Sequence, residues 1–245
     1  ALLAPLAEGA GRIGTPAGAY YRQKANGGRG VLLGGVPGVR PGRVVIIGGG
    51  VSGSHAAEIA VGMQASVTII DRDLARLREL EARYHGRIET LASNRLNVEE
   101  AVLDADLVIG SVLIPGASAP KLVTEDMVRG MRRGSVLVDI AIDQGGCFET
   151  SHETTHTDPV FTKHDIVHYA VGNIPGAVPH TSTYALTNAT LPYVVALADK
   201  GAFGAVEHHP ELVDGINIVG SHVTNQAVAD SLEKEFVAPT VALGA

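Results

Sequence analysis

The fold is decided by a run of β-branched residues that leads directly into a glycine-rich stretch: Val44-Val45-Ile46-Ile47-Gly48-Gly49-Gly50-Val51-Ser52-Gly53. Four consecutive β-branched residues followed by glycines are typical of a buried parallel strand. The glycines then follow the spacing G-x-G-x-x-G, and a segment of small residues with helical character continues from Ser52 to Met63. The stretch therefore predicts a strand, a tight turn and the beginning of a helix.

Strand-like and helix-like segments alternate on both sides of this stretch. Strands separated by helices of about ten residues form right-handed βαβ units, which place the strands in a parallel sheet. The sequence therefore predicts an α/β fold, a Rossmann-type doubly wound parallel sheet flanked by helices, over about residues 40–172. The predicted strands are Val44–Ile47, Val67–Ile70, Glu89–Leu91, Leu107–Ile109 and Val136–Val138, and the predicted helices are Leu6–Lys24, Ser52–Met63, Leu74–Tyr84, Asn97–Leu103 and Lys121–Met131.

Composition excludes several classes of protein. The 245 residues include 19 Lys and Arg against 26 Asp and Glu, a net charge of −7, with no basic run, so nucleic acid and anionic membranes are not expected partners. No apolar segment is long enough to span a membrane. A single cysteine excludes an intrachain disulfide, and we expect a cytoplasmic protein. Because the chain begins with Ala1 rather than methionine, we interpret it as a fragment.

The glycine-rich turn predicts a dinucleotide site. Gly48 would form the tight turn, Gly50 would let the backbone approach a pyrophosphate, and Gly53 would allow close contact between helix and strand. Backbone N–H groups at the helix start, including those of Val51 and Ser52, would hold the phosphate oxygens. An ordinary glycine-rich turn is the alternative, but the flanking strand and helix favour a nucleotide.

An acidic residue favours NAD as that nucleotide. Asp71 ends the second predicted strand, 18 positions after Gly53. Its carboxylate can accept the ribose hydroxyls of the adenosine half and would repel a 2′-phosphate, so NAD is favoured over NADP. The adjacent Arg72 is a reason to keep NADP open.

Two further segments follow predicted strands and should reach the same edge of the sheet. The loop Gly110–Gly116 is either a ligand contact or an ordinary Pro/Gly connection. Asp139 and Asp143 bracket an apolar triplet before a glycine pair, and a carboxylate buried there is costly unless it is hydrogen-bonded or functional. They are either capping or turn aspartates or part of a site, in which case Asp143 is the better candidate.

After Asp143 the pattern is less regular, with a His/Thr-rich stretch from Ser151 to Thr157 and predicted helices at Tyr184–Leu197 and Val223–Leu232. Intervening threonines and a proline disfavour the continuous helix that a metal site would need, so we predict no metal site. We predict that Cys147 is a small buried side chain rather than a nucleophile. The histidines considered as ligands are His152, His156, His164 and His168.

Several long blocks match a known family, in order along nearly the whole chain: Gly27–Val39, Gly48–Gly53 with Asp71, Ala105–Gly110, Pro120–Val123, Val138–Phe148 and Thr181–Thr190. On these blocks the chain resembles the bacterial L-alanine dehydrogenase family, which includes the NAD-binding subunit of proton-translocating transhydrogenase. One departure is Ala7, where the family usually has a serine near the cofactor phosphates.

This resemblance implies roles for residues around a bound NAD. Asp71 would bind the adenosine ribose, with Ser93 near the adenine, and the aspartate that matches Asp143 is catalytic in the family. The expected activity is reversible, NAD-dependent oxidative deamination of L-alanine to pyruvate and ammonium. Residues implied to line the cofactor groove are Val112 and Leu113, and those implied around the nicotinamide are Ile140, Val171 and Asn173.

The resemblance also implies an organisation. Residues 1–174 would form the NAD-binding domain with a leading connecting helix, and residues 175–245 would form the C-terminal segment of a discontinuous substrate domain whose other lobe precedes this chain. The family suggests a homohexamer. Two alternatives stay open: the NAD-binding subunit of a transhydrogenase, and a fragment that binds NAD without activity.

Overall fold

The computed structural model describes residues 2–113 and 119–243. The chain forms two compact units, a larger one that comprises described residues 3–113 and 119–182 and a smaller one that comprises mainly residues 183–243. The predicted loop Gly110–Gly116 is described only as far as Leu113, and its remainder lies outside the described residues.

The larger unit is built on a seven-stranded sheet with the order β3-β2-β1-β4-β5-β7-β6. All neighbouring strands are parallel except β6 and β7, which are antiparallel. The order reverses between β1 and β4, and the predicted Rossmann-type doubly wound sheet is confirmed. The strands are β1 (Arg43–Ile47), β2 (Ser66–Asp71), β3 (Glu89–Ala92), β4 (Leu107–Gly110), β5 (Val136–Asp139), β6 (Val160–Lys163) and β7 (Ile166–Tyr169).

Helices cover both faces of this sheet. Successive side chains of a strand point to opposite faces, so a strand buried on both sides is apolar throughout. Val44 and Ile46 of β1 belong to one core cluster, and Val45 and Ile47 belong to the other. The first cluster includes side chains of α1 (Ala4–Tyr21), α2 (Val51–Gly62) and α3 (Leu74–Tyr84), and the second includes side chains of α4 (Arg95–Asp104) and α5 (Glu125–Gly130).

The leading helix α1 packs directly against the start of α2. A Cβ atom on Gly11 would collide with the carbonyl group of Ser52, so only glycine allows this approach. The Thr15 hydroxyl donates to the Ala56 carbonyl oxygen at 2.9 Å. Helix α1 therefore supports the backbone immediately behind the glycine-rich turn.

Three of the predicted elements were wrong in extent. The helix predicted at Tyr184–Leu197 is much longer in the structure, at Pro179–His208. The helix predicted at Lys121–Met131 is only α5, because residues 121–123 instead run beside residues 147–149, where the Leu122 N–H donates to the Cys147 carbonyl oxygen at 2.9 Å. The helix predicted at Val223–Leu232 begins only at Gln226, after the cap residue Asn225. Strands β6 and β7 were not predicted, because polar residues interrupt their apolar pattern.

The smaller unit contains the greater part of a long helix and a few short elements. Helix α6 (Pro179–His208) is interrupted at Gly201, whose φ of 68° lies in the left-handed region. No described helix is long and apolar enough to cross a membrane. The remaining elements are β8 (Ile218–Val219), β9 (His222–Val223), α7 (Gln226–Leu232) and α8 (Pro239–Ala242).

Candidate functional site

The candidate site lies where the order of the strands reverses. Because β1, β2, β4 and β5 are parallel, their carboxyl ends meet along one edge of the sheet, and ligands of open α/β sheets bind in the crevice outside such a point. The glycine-rich turn follows β1, Asp71 ends β2, Gly110 ends β4 and Asp139 ends β5. The sheet thus brings the separate predicted segments to one edge.

The glycine-rich turn is closely packed on one side and open on the other. Gly48 has a φ of 101°, which favours glycine, and its N–H donates to the Ile70 carbonyl oxygen at 2.8 Å. A Cβ atom on Gly53 would collide with the Gly48 carbonyl oxygen and lie 2.7 Å from Ser111 Oγ. Gly50 is exposed, and no atom lies within 4 Å of the position that its Cβ would take. The open side can therefore admit a ligand close to the backbone.

Helix α2 begins at this turn with unused hydrogen-bond donors. Its N-cap residue, Gly50, has no side chain to cap the first turn. Among the described residues, no hydrogen-bond acceptor pairs with the backbone N–H of Gly50, Val51 or Ser52. Free N–H groups and the positive end of the helix dipole favour an anion at this position.

Asp71 lies beside the turn and is tied to it. Its Oδ2 accepts from the Gly49 N–H at 2.6 Å, and its Oδ1 accepts from the Asp73 N–H at 2.9 Å. An ionised carboxylate has about four acceptor positions, so both oxygens can still accept from a ligand. Ser93 is adjacent, because its N–H donates to the Asp71 carbonyl oxygen at 2.8 Å, and Arg72 is exposed.

The residues predicted to line the groove occupy different environments. Val112 is half-buried and its Cγ2 lies 3.0 Å from the position that a Gly48 Cβ would take, which places it beside the turn. Leu113 is exposed. Val171 is wholly buried, backbone included, so the structure leaves no part of it exposed to a ligand. Ile140 is half-buried, and its N–H donates to the Gly110 carbonyl oxygen at 2.9 Å.

Asp143 and Asn173 form a second polar pair. Asp143 is exposed in a short 3-10 helix at Ile142–Gln144, and its Oδ1 accepts from the Asn173 N–H at 3.0 Å. Asn173 has a left-handed φ of 53°. This single anchor orients the carboxylate and leaves acceptor positions on it for a ligand.

Asp139, unlike Asp143, is buried and has a structural role. Both carboxylate oxygens accept from the Cys147 N–H, at 3.1 and 3.0 Å, and Oδ2 also lies 3.4 Å from the Phe148 N. Burial raises the pKa of Asp139, and these hydrogen bonds offset part of that rise. Asp139 therefore anchors the loop that follows Asp143, as the turn-aspartate alternative predicted for it.

Three contributors were not found from the sequence. Ser111 Oγ donates to the Gly48 carbonyl oxygen at 2.8 Å, and Arg76 Nε donates to the Gly49 carbonyl oxygen at 2.8 Å. Lys121 Nζ donates to the carbonyl oxygens of Gly145 and Phe148. No local motif marks these contacts, because each joins a side chain to backbone more than 20 positions away.

The remaining titratable candidates have structural surroundings. Burial, with a contribution from Asp139, raises the pKa of the Cys147 thiol to about 12, so it is a poor nucleophile. His168 is buried in β7 between Thr150 and the Ile166 carbonyl group, and burial lowers its pKa to about 4. Within residues 2–113 and 119–243, no group of three His, Cys, Asp or Glu side chains could hold a metal ion.

Comparisons with known proteins agree with this geometry. The chain is 56% identical over 236 residues to Alanine dehydrogenase 2 of Staphylococcus aureus (strain USA300), covering 96% of this chain and 63% of that protein. A solved L-alanine dehydrogenase matches with a TM-score of 0.89 and 50% identity over 95% of this chain and 64% of that one. A transhydrogenase from Sinorhizobium meliloti shares the fold, with a TM-score of 0.69 at 24% identity, over 80% of this chain and 57% of that one.

The chain thus spans about 63% of the length of the curated relatives that it matches. The family model described as alanine dehydrogenase/PNT, C-terminal domain, matches residues 15–226. Because that match covers most of the chain, the protein belongs to the alanine dehydrogenase/PNT C-terminal domain family.

Proposed function

We propose that this chain is the nucleotide-binding part of an NAD-dependent L-alanine dehydrogenase. In the proposed reaction, L-alanine, NAD⁺ and water give pyruvate, ammonium, NADH and a proton, and the reverse reaction is reductive amination. One observation carries the proposal: the exposed Gly50 and the free N–H groups at the start of α2 lie beside Asp71. Asp143 follows β5, whose carboxyl end lies at the same edge of the sheet.

The residues at this edge fit NAD. The pyrophosphate would lie against the backbone N–H groups of Gly50, Val51 and Ser52, where the absence of a Cβ on Gly50 leaves room for it.

Asp71 would accept hydrogen bonds from the adenosine ribose with its remaining lone pairs, and its negative charge would disfavour a 2′-phosphate. The positively charged Arg72 would reduce this preference for NAD over NADP. Gly48 and Gly53 shape the turn, Ser93 would lie near the adenine, and Val112 and Leu113 would form the apolar wall.

The second polar pair would serve the reacting end. NAD, when bound, supplies the hydride acceptor for the substrate Cα. Asp143, held by the Asn173 N–H at 3.0 Å, would hold the substrate amine or the attacking water and balance the positive charge of the imine. Ile140 would border the nicotinamide ring, and the buried Val171, which belongs to the core cluster against which Ile140 packs, would support it.

The proposal also covers the rest of the protein. Residues 1–174 would be the NAD-binding domain, and residues 175–245 would complete a substrate domain whose other lobe supplies the alanine contacts. A cytoplasmic homohexamer is the proposed assembly. Exposed apolar side chains on α6, among them Leu191, Val194 and Val195, support further contacts for this helix. Sedimentation of the full-length protein tests the assembly.

Two measurements test the proposed function. NADH fluorescence should change on titration with this chain, because every residue proposed to bind the nucleotide belongs to it. L-alanine and NAD⁺ should give little or no NADH absorbance with this chain and a steady rise with a full-length protein that carries the preceding lobe. No NADH binding would contradict the nucleotide site. Binding without alanine oxidation by the full-length protein would favour a nucleotide-binding subunit instead.

A further inference from the structure

We propose that Arg76 is a positioning residue for the proposed NAD site: it orients the glycine-rich turn so that the Gly50 N–H faces the pyrophosphate. The inference rests on the proposed function and goes beyond it, because Arg76 would act on a part of the nucleotide that it need not touch.

Arg76 lies in the first turn of α3 and is held by three contacts. Asp73 caps this helix, with Oδ1 accepting from the Ala75 N–H at 2.8 Å and from the Arg76 N–H at 3.3 Å. The Arg76 side chain reaches the glycine-rich turn, where Nε donates to the Gly49 carbonyl oxygen at 2.8 Å. Its Nη1 is 2.9 Å from Glu79 Oε2. The guanidinium group is planar and rigid, so fixing Nη1 also fixes the direction of Nε.

Peptide geometry transmits this contact to Gly50. In a trans peptide unit the C=O and the following N–H point in opposite directions within one plane, and the Gly49–Gly50 unit is trans. Because Arg76 holds the Gly49 carbonyl oxygen on the α3 side, the Gly50 N–H must point away from α3. The Gly50 N–H has no acceptor among the described residues and Gly50 is exposed, so the proposal places the pyrophosphate on this side of the turn.

The preceding peptide unit is held in the same manner. Ser111 Oγ donates to the Gly48 carbonyl oxygen at 2.8 Å, and Asp71 accepts from the Gly49 N–H at 2.6 Å. A Cβ atom on Gly49 would lie 2.8 Å from Leu80 Cδ1, so Gly49 itself is pressed against α3. Of these two peptide units, only Gly49–Gly50 is held by Arg76, and this unit contains the Gly50 N–H donor.

A turn of three consecutive glycines needs such an anchor. Glycine populates more backbone conformations than other residues, so an unrestrained turn would have to be ordered when the nucleotide binds. Loss of the Arg76 contact should therefore weaken ligands that carry the pyrophosphate by about tenfold, which corresponds to about 1.4 kcal/mol. The affinity of a ligand without phosphate should not change.

The test compares three ligands on variants of this chain. NADH, ADP-ribose and adenosine are titrated against Arg76→Met, which keeps the aliphatic stem, and Arg76→Lys, which keeps a donor. Arg78→Met is the matched control, since Arg78 is an exposed arginine on the same helix. We expect about tenfold weaker NADH and ADP-ribose with Arg76→Met, about threefold with Arg76→Lys and no change with Arg78→Met, with adenosine affinity constant throughout.

Each outcome decides the inference. Unchanged NADH affinity in both Arg76 variants overturns it while leaving the proposed function intact. An equal loss for adenosine also overturns it, because Arg76 would then act on the adenosine end or on the fold as a whole. If Arg76→Met does not fold by circular dichroism, the Arg76→Lys comparison of NADH with adenosine decides alone. Failure of the unaltered chain to bind NADH overturns both the inference and the proposed function.

Discussion

At the scale of single residues, Asp71 combines two tasks. It anchors the glycine-rich turn through the Gly49 N–H, and it is proposed to accept from the ribose. A substitution therefore acts on the shape of the site as well as on its choice between NAD and NADP. The two effects can be separated, because asparagine keeps one acceptor oxygen and removes the charge, whereas alanine removes both.

We expect Asp71→Asn to relax rejection of NADPH while keeping most of the affinity for NADH. Asp71→Ala should in addition weaken NADH binding by about tenfold, since the Gly49 N–H loses its acceptor. Fluorescence titrations of the variants with NADH and NADPH make the comparison. Equal behaviour of the two variants would contradict a separate role for Asp71 in holding the turn.

Arg22 is a buried arginine whose guanidinium group has unpaired hydrogen-bond donors within the described part of the chain. Its side chain is 1% exposed, and within the described part of the chain Nε and Nη1 have no hydrogen-bond partner. Burial lowers its pKa to about 10, although Asp106 acts in the opposite direction. Asp106 itself accepts from Arg29 Nη1 at 3.0 Å and from the Arg43 N–H at 2.9 Å. Arg22 thus carries much of the cost of a buried charge without a direct ion pair.

We expect Arg22→Met to raise the free energy of unfolding by about 1–3 kcal/mol, because replacing a poorly paired buried charge with an apolar side chain of similar length is often stabilising. Urea denaturation measures the difference. Arg40→Met, at an exposed position, is the control and should change stability little. A loss of stability in Arg22→Met would show that the guanidinium has partners in solution, such as buried water.

At the scale of elements, β7 carries a buried polar residue that explains why the strand escaped prediction. His168 Nδ1 donates to the Ile166 carbonyl oxygen at 2.9 Å, and Nε2 lies 2.7 Å from the Thr150 hydroxyl, which donates to it. Its ring also stacks on Phe161, with the centroids 4.6 Å apart. The neutral imidazole is therefore satisfied, and protonation of Nε2 would require the Thr150 hydroxyl to accept instead of donate.

This environment gives stability a defined pH dependence. Burial lowers the pKa of His168 from 6.5 to about 4, so the unfolded chain takes up a proton before the folded chain does. The His168 contribution is complete above the unfolded pKa and is lost as the pH falls from 6.5 to about 4, by about 3 kcal/mol in total.

We expect urea denaturation at a series of pH values to show this loss, with a flatter curve for His168→Leu. His222→Gln, at an exposed position in β9, should keep the slope of the unaltered chain. An unchanged slope in His168→Leu would assign the pH dependence to other groups.

At the scale of the whole molecule, the chain holds the proposed nucleotide site but matches only part of its relatives, with 63% coverage of Alanine dehydrogenase 2. The effect of Asp143 on catalysis is therefore tested in a full-length protein. We expect Asp143→Ala to lower turnover by at least about a hundredfold, the usual contribution of a positioned acid or base. NADH affinity should change by less than about twofold, since Asp143 is proposed to act on the substrate amine or water and not on the adenosine or the pyrophosphate.

Steady-state kinetics with L-alanine and a parallel NADH titration measure the two quantities. Asp126→Ala, at an aspartate that is 99% exposed, is the control. Normal turnover in Asp143→Ala would remove Asp143 from the mechanism. A matching loss of NADH affinity would place it in cofactor binding instead.

The sequence by itself determined strands β1 to β5 and the position along the chain of the candidate site, but not β6 and β7. Val44–Ile47, the glycine spacing and Asp71 are readable because each signal is local: burial on both faces requires an apolar strand, and a tight turn before a helix requires glycine. The sequence also favoured Asp143 over Asp139 as the functional candidate, and this stays a prediction; the structure shows that Asp139 is buried and accepts from the Cys147 N–H.

Only the tertiary structure decided which side chains hold the site in shape. Arg76, Ser111 and Lys121 act on backbone carbonyl groups, and every residue offers such a group, so no pairing can be read from residue types. The same holds for residues 121–123, which pair with 147–149 instead of forming the predicted helix. Local patterns determine the strands and turns, whereas contacts between distant side chains and backbone arise only when the folded sheet brings their segments together.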